Sequence, residues 1–261
     1  MMGANVMALD GVNQALKEKY KAILNSSIDL PNPEKMSEIF LTSVRDGYEG
    51  AKRKIMIIGR EPGGDVKKGW YWGVAGSKSI LQPILKSEDK SAYVDSAMQY
   101  HKVFFSSILS GKNERGSTFG NFLREVRNSL NGDDCGMIYS NLFCYSTNEG
   151  KIPNRLGKEG YAVIKMLSKD LLLSQIEILK PDTIIFANGT SGPSVDFRRE
   201  CFPMDQCICR DNYEKDGISD IQLWKFKFDG IQCYRIQHPS SHHPASSPAR
   251  KYFLENVLFR D

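Results

Sequence analysis

The sequence predicts an α/β protein built on a central, mainly parallel four-stranded sheet. Four short apolar runs, residues 54–58, 137–143, 183–187 and 232–236, have the length of strands and little polar alternation, the pattern of strands covered on both faces. Amphipathic helical patterns fill the intervals between them. Strands that alternate with helices make βαβ units, whose crossovers are right-handed.

In chain order, Val12, Leu16, Tyr20, Ile23 and Leu24 recur at helical spacing between lysines, which predicts an amphipathic surface helix over residues 12–24. Asn32 as a cap and Pro33 at the first helical position predict a second helix. Met36, Ile39, Phe40 and Val44 would line its buried face, and Gly47 and Gly50 would end it. The run 54–58 is the first core strand and stops at Gly59. Residues 80–109 hold one or two helices, Phe119, Phe122, Leu123, Val126 and Leu130 mark another, and residues 161–179 form a long one.

Trp224, Phe226 and Phe228 alternate with Lys225 and Lys227 ahead of Asp229-Gly230, a two-residue hairpin signal. An antiparallel edge strand therefore precedes the last core strand. Residues 192–217, charged and without a clear period, read as an insertion or long loop. In the absence of any repeat, low-complexity tract or linker, all 261 residues are expected to form one domain, residues 1–50 being a helical extension packed on it.

A composition of 41% apolar and 25% charged residues is that of a soluble globular chain, and no apolar run approaches the ~20 residues that cross a bilayer. The first nine residues lack the charged and then apolar segments of a secretory signal. An intracellular protein without a membrane partner is expected, cytoplasmic if its source is bacterial. A net charge of +4 permits a polyanionic partner without requiring one. The six cysteines, at 135, 144, 201, 207, 209 and 233, read as free thiols rather than a disulfide framework. Cys201, Cys207 and Cys209 cluster without C-x2-C pairing or a nearby histidine, so no metal site is expected there.

In an open parallel sheet, ligands bind outside the carboxyl ends of the strands. Four strand ends here deliver Gly59-Arg60-Glu61-Pro62-Gly63-Gly64, Asn141, Asn188-Gly189-Thr190 and His238-Pro239-Ser240-Ser241-His242-His243. The glycines at 59, 63 and 64 fit neither the dinucleotide fingerprint nor a phosphate loop. Pro62, Gly63 and Gly64 instead make a tight turn in which backbone N–H groups can approach a ligand closely.

These segments resemble the uracil-DNA glycosylase superfamily. Residues 57–64 are similar to its first motif, a strand end running glycine, two variable residues, proline and often glycine. His238-Pro239-Ser240 matches the opening of its second motif, again directly after a strand. Between them, residues 138–142 resemble the strand whose asparagine reads a pyrimidine, and residues 120–126 the helix before it. The resemblance runs in order from about residue 50 to the C-terminus.

The resemblance implies a three-layer α/β/α glycosylase that removes uracil or a related damaged base from DNA in base-excision repair, as a monomer and without metal or redox cofactor. It implies that His238 donates to the uracil O2 as that oxygen becomes anionic, and that Asn141 pairs with O4 and N3–H, having both a donor and an acceptor. Glu61 stands where well-known members carry aspartate, asparagine or alanine; it either positions water and balances the sugar cation or is a loop carboxylate paired with Arg60. Asp65 is a second candidate carboxylate. Gly59, Arg60, Pro62 and Gly63 would bound the base pocket, and Tyr71, Trp72 and Phe119 are rival stacking surfaces for a flipped base, such stacking being worth roughly 1–3 kcal/mol.

In the family, the loop holding Ser240, Ser241, His242 and His243 enters the minor groove with an apolar wedge. Histidines replace that wedge here, which favours single-stranded or mismatched DNA, where a base leaves the stack at least cost. Members with an iron–sulfur cluster carry paired cysteines near the N-terminus, and none precedes Cys135 here, so the resemblance is to cluster-free branches such as the single-strand-selective or mismatch-specific enzymes. Two other readings stay open: a non-catalytic nucleic-acid-binding protein that keeps the fold, and a hydrolase of free nucleosides.

Overall fold

The computed structural model describes residues 3–26, 37–62, 64–65, 70–71, 90–111, 118–130, 135–146, 152–190 and 192–258. Its elements run α1 (Gly3–Asn25), β1 (Arg53–Gly59), β2 (Gly64–Asp65), β3 (Trp70–Tyr71), α2 (Ser91–Leu109), α3 (Thr118–Ser129) and β4 (Cys135–Asn141). They continue through α4 (Ile152–Leu179), β5 (Thr183–Phe186), α5 (Pro193–Cys201), β6 (Ile208–Asn212), β7 (Leu223–Phe228), β8 (Ile231–Ile236) and α6 (Ser246–Tyr252). A single π turn, Phe253–Val257, extends α6.

The four apolar runs become strands of one six-stranded sheet, ordered β4-β1-β5-β8-β7-β6. β1 and β5 run parallel with Ile55 opposite Thr183, and β5 and β8 run parallel with Phe186 opposite Arg235. Ile55 to Ile58 and Ile184 to Phe186 are wholly buried. Such continuous burial requires cover on both faces and explains why these runs do not alternate. β8 then turns back into β7 and β7 into β6, both antiparallel, so the sheet is mixed. Asp229 and Gly230 lie at φ 49° and 78°, the left-handed pair that a two-residue hairpin turn requires.

Six strands instead of four, and two further differences from the sequence reading, have physical causes. The stretch 192–217 is not a long loop: it holds α5 and β6. α5 has only nine residues, too few for its period to stand out, though Pro193 sits at its start. All five residues of β6 are exposed, so no buried face marks it as a strand. Its register shift between Ile208 and Asp211, with Cys209 at φ 50°, suits a charged outer strand that resists further pairing.

The helix expected after Pro33 is absent over residues 37–44, the part of it that is described. Every residue from 37 to 44 is buried, more than one helical face could account for. The backbone donors go elsewhere: Ser37 N–H to the Ser146 carbonyl and Phe40 N–H to that of Cys144, each at 2.8 Å. Ile39 N–H reaches Tyr93 Oη, and Val44 N–H reaches Asn13 Oδ1. Tertiary partners thus replace the i−4 carbonyls of a helix.

The chain divides into two compact units, Met1–Val44 with Glu61–Phe104 and Ser140–Lys180, and Arg45–Arg60 with Phe105–Tyr139 and Pro181–Asp261. In the first, α1 packs on α4 with Leu16, Tyr20 and Leu24 inward. Tyr20 Oη donates to the Thr42 carbonyl at 2.9 Å and accepts from Gln175, whose Oε1 accepts from Ser140 Oγ. In the second unit, Phe186 meets Phe202 edge-on with centroids 4.8 Å apart, while Tyr234, neighbour of Arg235 on β8, meets Phe253 at 5.1 Å. α3 packs against the π turn. No described helix is long and apolar enough to cross a membrane.

Gly136 on β4 shows how tight the second unit is. A Cβ there would stand 2.9 Å from the Tyr48 ring and 3.0 Å from Ala51 Cβ, whereas one on Gly50 would meet nothing within 4 Å. Gly136→Ala is therefore expected to cost about 1–3 kcal/mol and Gly50→Ala almost nothing. Thermal unfolding followed by circular dichroism checks this, and equal melting temperatures for the two variants would contradict it.

Candidate functional site

β8 ends at Ile236 and releases the chain two residues before His238. A turn follows at once, with Ser241 N–H donating to the His238 carbonyl at 2.7 Å. Inside that turn Ser240 N–H donates to His238 Nδ1 at 3.2 Å. A nitrogen that accepts cannot carry the proton of a neutral imidazole, so this bond assigns the proton to Nε2 and makes Nε2–H a donor.

Burial, then the positive fields of the Arg60 and Arg250 guanidiniums, push the His238 pKa down to about 4 from an ordinary 6.5. The ring is neutral throughout the physiological range. Since the fold accommodates the neutral ring, this contribution to stability is present above about pH 6.5 and is lost as pH falls through about 4. Phe119 of α3 packs against it, its ring centroid 5.6 Å from that of the imidazole at 38°. Phe119 is itself buried and backed by Tyr139 at 5.5 Å and Phe122 at 6.4 Å. It covers one side of the histidine ring.

Beyond His238 the loop braces itself. His243 N–H reaches Ser241 Oγ, Ala245 N–H reaches His243 Nδ1, and the hydroxyls of Ser241 and Ser246 lie 3.1 Å apart. Ser240, His242 and His243 are exposed on it and Ser241 is half-buried. This is a shaped surface loop with its imidazoles outward.

At the end of the neighbouring β5, Asn188 is buried, its Oδ1 accepting from Arg198 Nη1 at 3.3 Å. Its Nδ2 has no hydrogen-bond partner among the described residues. Gly189 follows at φ 84°, a conformation that leads the chain past His238, whose Cβ is 3.8 Å from where a Gly189 Cβ would be. Arg250 of α6 is half-buried, and its Nη1 is likewise enclosed without a partner among the described residues.

The second unit thus gathers Gly59, Arg60, Phe119 and the loop from His238 to His243. Glu61, Pro62 and Asn141 belong to the first. Asn141 closes β4 and is buried, Glu61 is half-buried beside the buried Pro62, and Gly64 of β2 pairs with Tyr71 of β3. Gly63 and Trp72 lie outside the described residues. The first unit also has an open cleft of about 610 Å³, lined by Asn13, Lys17, Ser43, Asp95, Met98 and Lys102, and none of the motif residues lines it. All six cysteines are free thiols.

Sequence reasoning passed over Arg250 and Asn188 as site residues. Asn188 carried a signal, an asparagine and a glycine directly after a core strand; Arg250 carried none, being one basic residue on an amphipathic helix. In comparisons with known proteins, no family model and no curated protein matches the chain. The functional reading therefore rests on the chain's own residues.

Removing the Phe119 ring opens His238 to water. Phe119→Ala is expected to raise the imidazole pKa from about 4 toward 6.5 and to cost roughly 3–5 kcal/mol of stability. Nuclear magnetic resonance titration of the His238 ring below the melting temperature checks this, and an unchanged midpoint would show that Phe119 does not bury it.

Proposed function

We propose that this protein is a DNA glycosylase that hydrolyses the N-glycosidic bond of uracil or a related damaged base, an enzyme of base-excision repair similar to the cluster-free uracil-DNA glycosylases. The observation that carries this reading is His238: a neutral imidazole at a strand end, its Nδ1 occupied by the Ser240 N–H and its Nε2–H left as donor. The strand order β4-β1-β5-β8 supports the three-layer α/β/α core of the family, with β7 and β6 added at one edge.

In the reaction the bond between base N1 and sugar C1′ breaks, its electron pair leaves with the base, water oxygen bonds to C1′, and a water proton ends on the released base. Negative charge grows on the uracil oxygen and positive charge on the sugar. A neutral N–H donor aimed at the growing oxyanion stabilises it without having to give up its own proton, and is worth most where water is excluded. His238 takes that role, helped by the Phe119 wall.

Asn141 reads the pyrimidine edge and Glu61 orients water and balances the sugar cation; both assignments rest on the motif resemblance. Gly59, Arg60, Pro62 and Gly63 bound the base, and Tyr71 or Trp72 stacks on it. Ser240, Ser241, His242 and His243 meet the DNA strand, single-stranded or mismatched, since the loop carries no apolar wedge. The protein acts inside the cell as a monomer and needs no cofactor.

Alkali-revealed cleavage of labelled oligonucleotides bearing one uracil, single-stranded or opposite guanine or adenine, tests the reading. Abasic product from the unaltered protein, lowered roughly 100-fold or more by His238→Ala and strongly by Glu61→Gln and Asn141→Ala, is expected. Salt-sensitive DNA binding with no product on any substrate would make the protein a non-catalytic reader. Turnover of free nucleosides without oligonucleotide binding would make it a nucleoside hydrolase.

A further inference from the structure

Glu38 has no part in that mechanism, and its surroundings are unusual for a carboxyl group. It is 4% exposed, and its Oε1 is enclosed without a hydrogen-bond partner among the described residues. A buried carboxylate with neither a donor nor a cation costs far more than the neutral acid in the same place. Burial accordingly raises the Glu38 pKa from an ordinary 4.5 to about 7.

The backbone on both sides of Glu38 is stapled down. Ser37 N–H donates to the Ser146 carbonyl at 2.8 Å, and Ser37 Oγ accepts from Ser146 N–H at 2.9 Å. Phe40 N–H donates to the Cys144 carbonyl and Ile39 N–H to Tyr93 Oη, each at 2.8 Å. Every residue from 37 to 44 is buried under these bonds.

The elements packed here supply no counter-charge among the described residues. The Glu38 charge reaches two phenols of α2, Tyr93 and Tyr100, which burial first of all keeps protonated. On the facing segment, burial pushes the Cys144 thiol up to about 12 and the Tyr145 phenol well above its ordinary value. From α1, Tyr20 reaches the Thr42 carbonyl, and burial holds it neutral too. α4 meets the facing segment through the uncharged Ser168, whose Oγ accepts from Cys144 N–H at 3.0 Å. Lys17 of α1 pairs with Asp95 of α2 at 2.6 Å, and the Lys90 ammonium donates to the Leu24 carbonyl. His101 of α2 acts further along, its Nδ1 accepting from Ser43 N–H at 3.1 Å. Protonating that nitrogen would break the Ser43 bond, so His101 loosens the segment as pH falls, the opposite sign from Glu38.

We propose that residues 37–44 form a proton-locked strap: the segment stays clamped on residues 144–146 while Glu38 is enclosed as the neutral acid, and opens when that carboxyl has to carry a charge. The lock contributes its stability in full below about pH 4.5 and loses it as pH rises through about 7. The clamped residues follow β4 and Asn141 in the same unit, so the strap ties the packing of that stretch to pH. The strap stands whether or not the protein is a glycosylase.

Native-state hydrogen exchange of the full-length protein between about pH 5 and 8, with each rate corrected for its intrinsic pH dependence, tests the strap. Protection of the Ser37, Phe40 and Ser146 amides is expected to drop about 10-fold or more as pH rises, while that of Ala187, bonded to the Ile58 carbonyl in the second unit, holds constant. In Glu38→Gln, which is neutral at every pH, the strap amides are expected to stay equally protected throughout. Protection that stays constant or rises with pH in the unaltered protein, an equal drop at Ala187, or a drop that persists in Glu38→Gln overturns the strap. Carbon-13 titration of the glutamate carboxyls in the unaltered protein does not depend on the variant folding. A Glu38 midpoint well above 4.5, toward 7, is expected there, and an unshifted one overturns the proposal.

Discussion

One hydrogen bond sets the chemistry available at the end of β8. Ser240 N–H occupies Nδ1 of His238, so the neutral ring has its only N–H on Nε2. The bond exists because β8 stops at Ile236 and the chain turns within four residues, with Ser241 N–H closing on the His238 carbonyl. β5, its parallel neighbour, ends at Phe186, opposite Arg235, and β7 begins at Leu223, opposite Ile236. A backbone amide cannot be lost by side-chain substitution, except by proline, and its reach is fixed by the turn.

The second constraint is electrostatic. Burial, and then the fields of the Arg60 and Arg250 guanidiniums, oppose a positive charge on the imidazole, which remains a neutral donor well into the acid range. A histidine poised near neutrality would switch between donor and acid; this one is withheld from that role.

Much of this was legible in the sequence wherever burial is two-sided or turn chemistry is strict. Ile55 to Ile58 and Ile184 to Phe186 announce core strands because both faces are covered, and Asp229-Gly230 announces a hairpin because few other pairs tolerate two left-handed residues. β6 escaped notice because an exposed outer strand has no buried face to alternate with. Residues 37–44 imitated an amphipathic helix because Ile39, Phe40 and Val44 happen to be spaced as one, while backbone bonds to Cys144 and Ser146 decided otherwise. At the site, His238 could be found from its place after a strand and before Pro-Ser. Arg250 could not be singled out, since nothing in the sequence marks its Nη1 as an enclosed atom without a partner among the described residues.

The account depends most directly on the protonation state of one ring. Nitrogen-15 spectra of the histidine side chains, assigned with His238→Gln, measure it between pH 5.5 and 8. The account predicts a constant pattern for His238, with Nε2 protonated and Nδ1 in the bare, hydrogen-bond-accepting form. An imidazolium signal appearing near pH 6.5, or a proton on Nδ1, would contradict it.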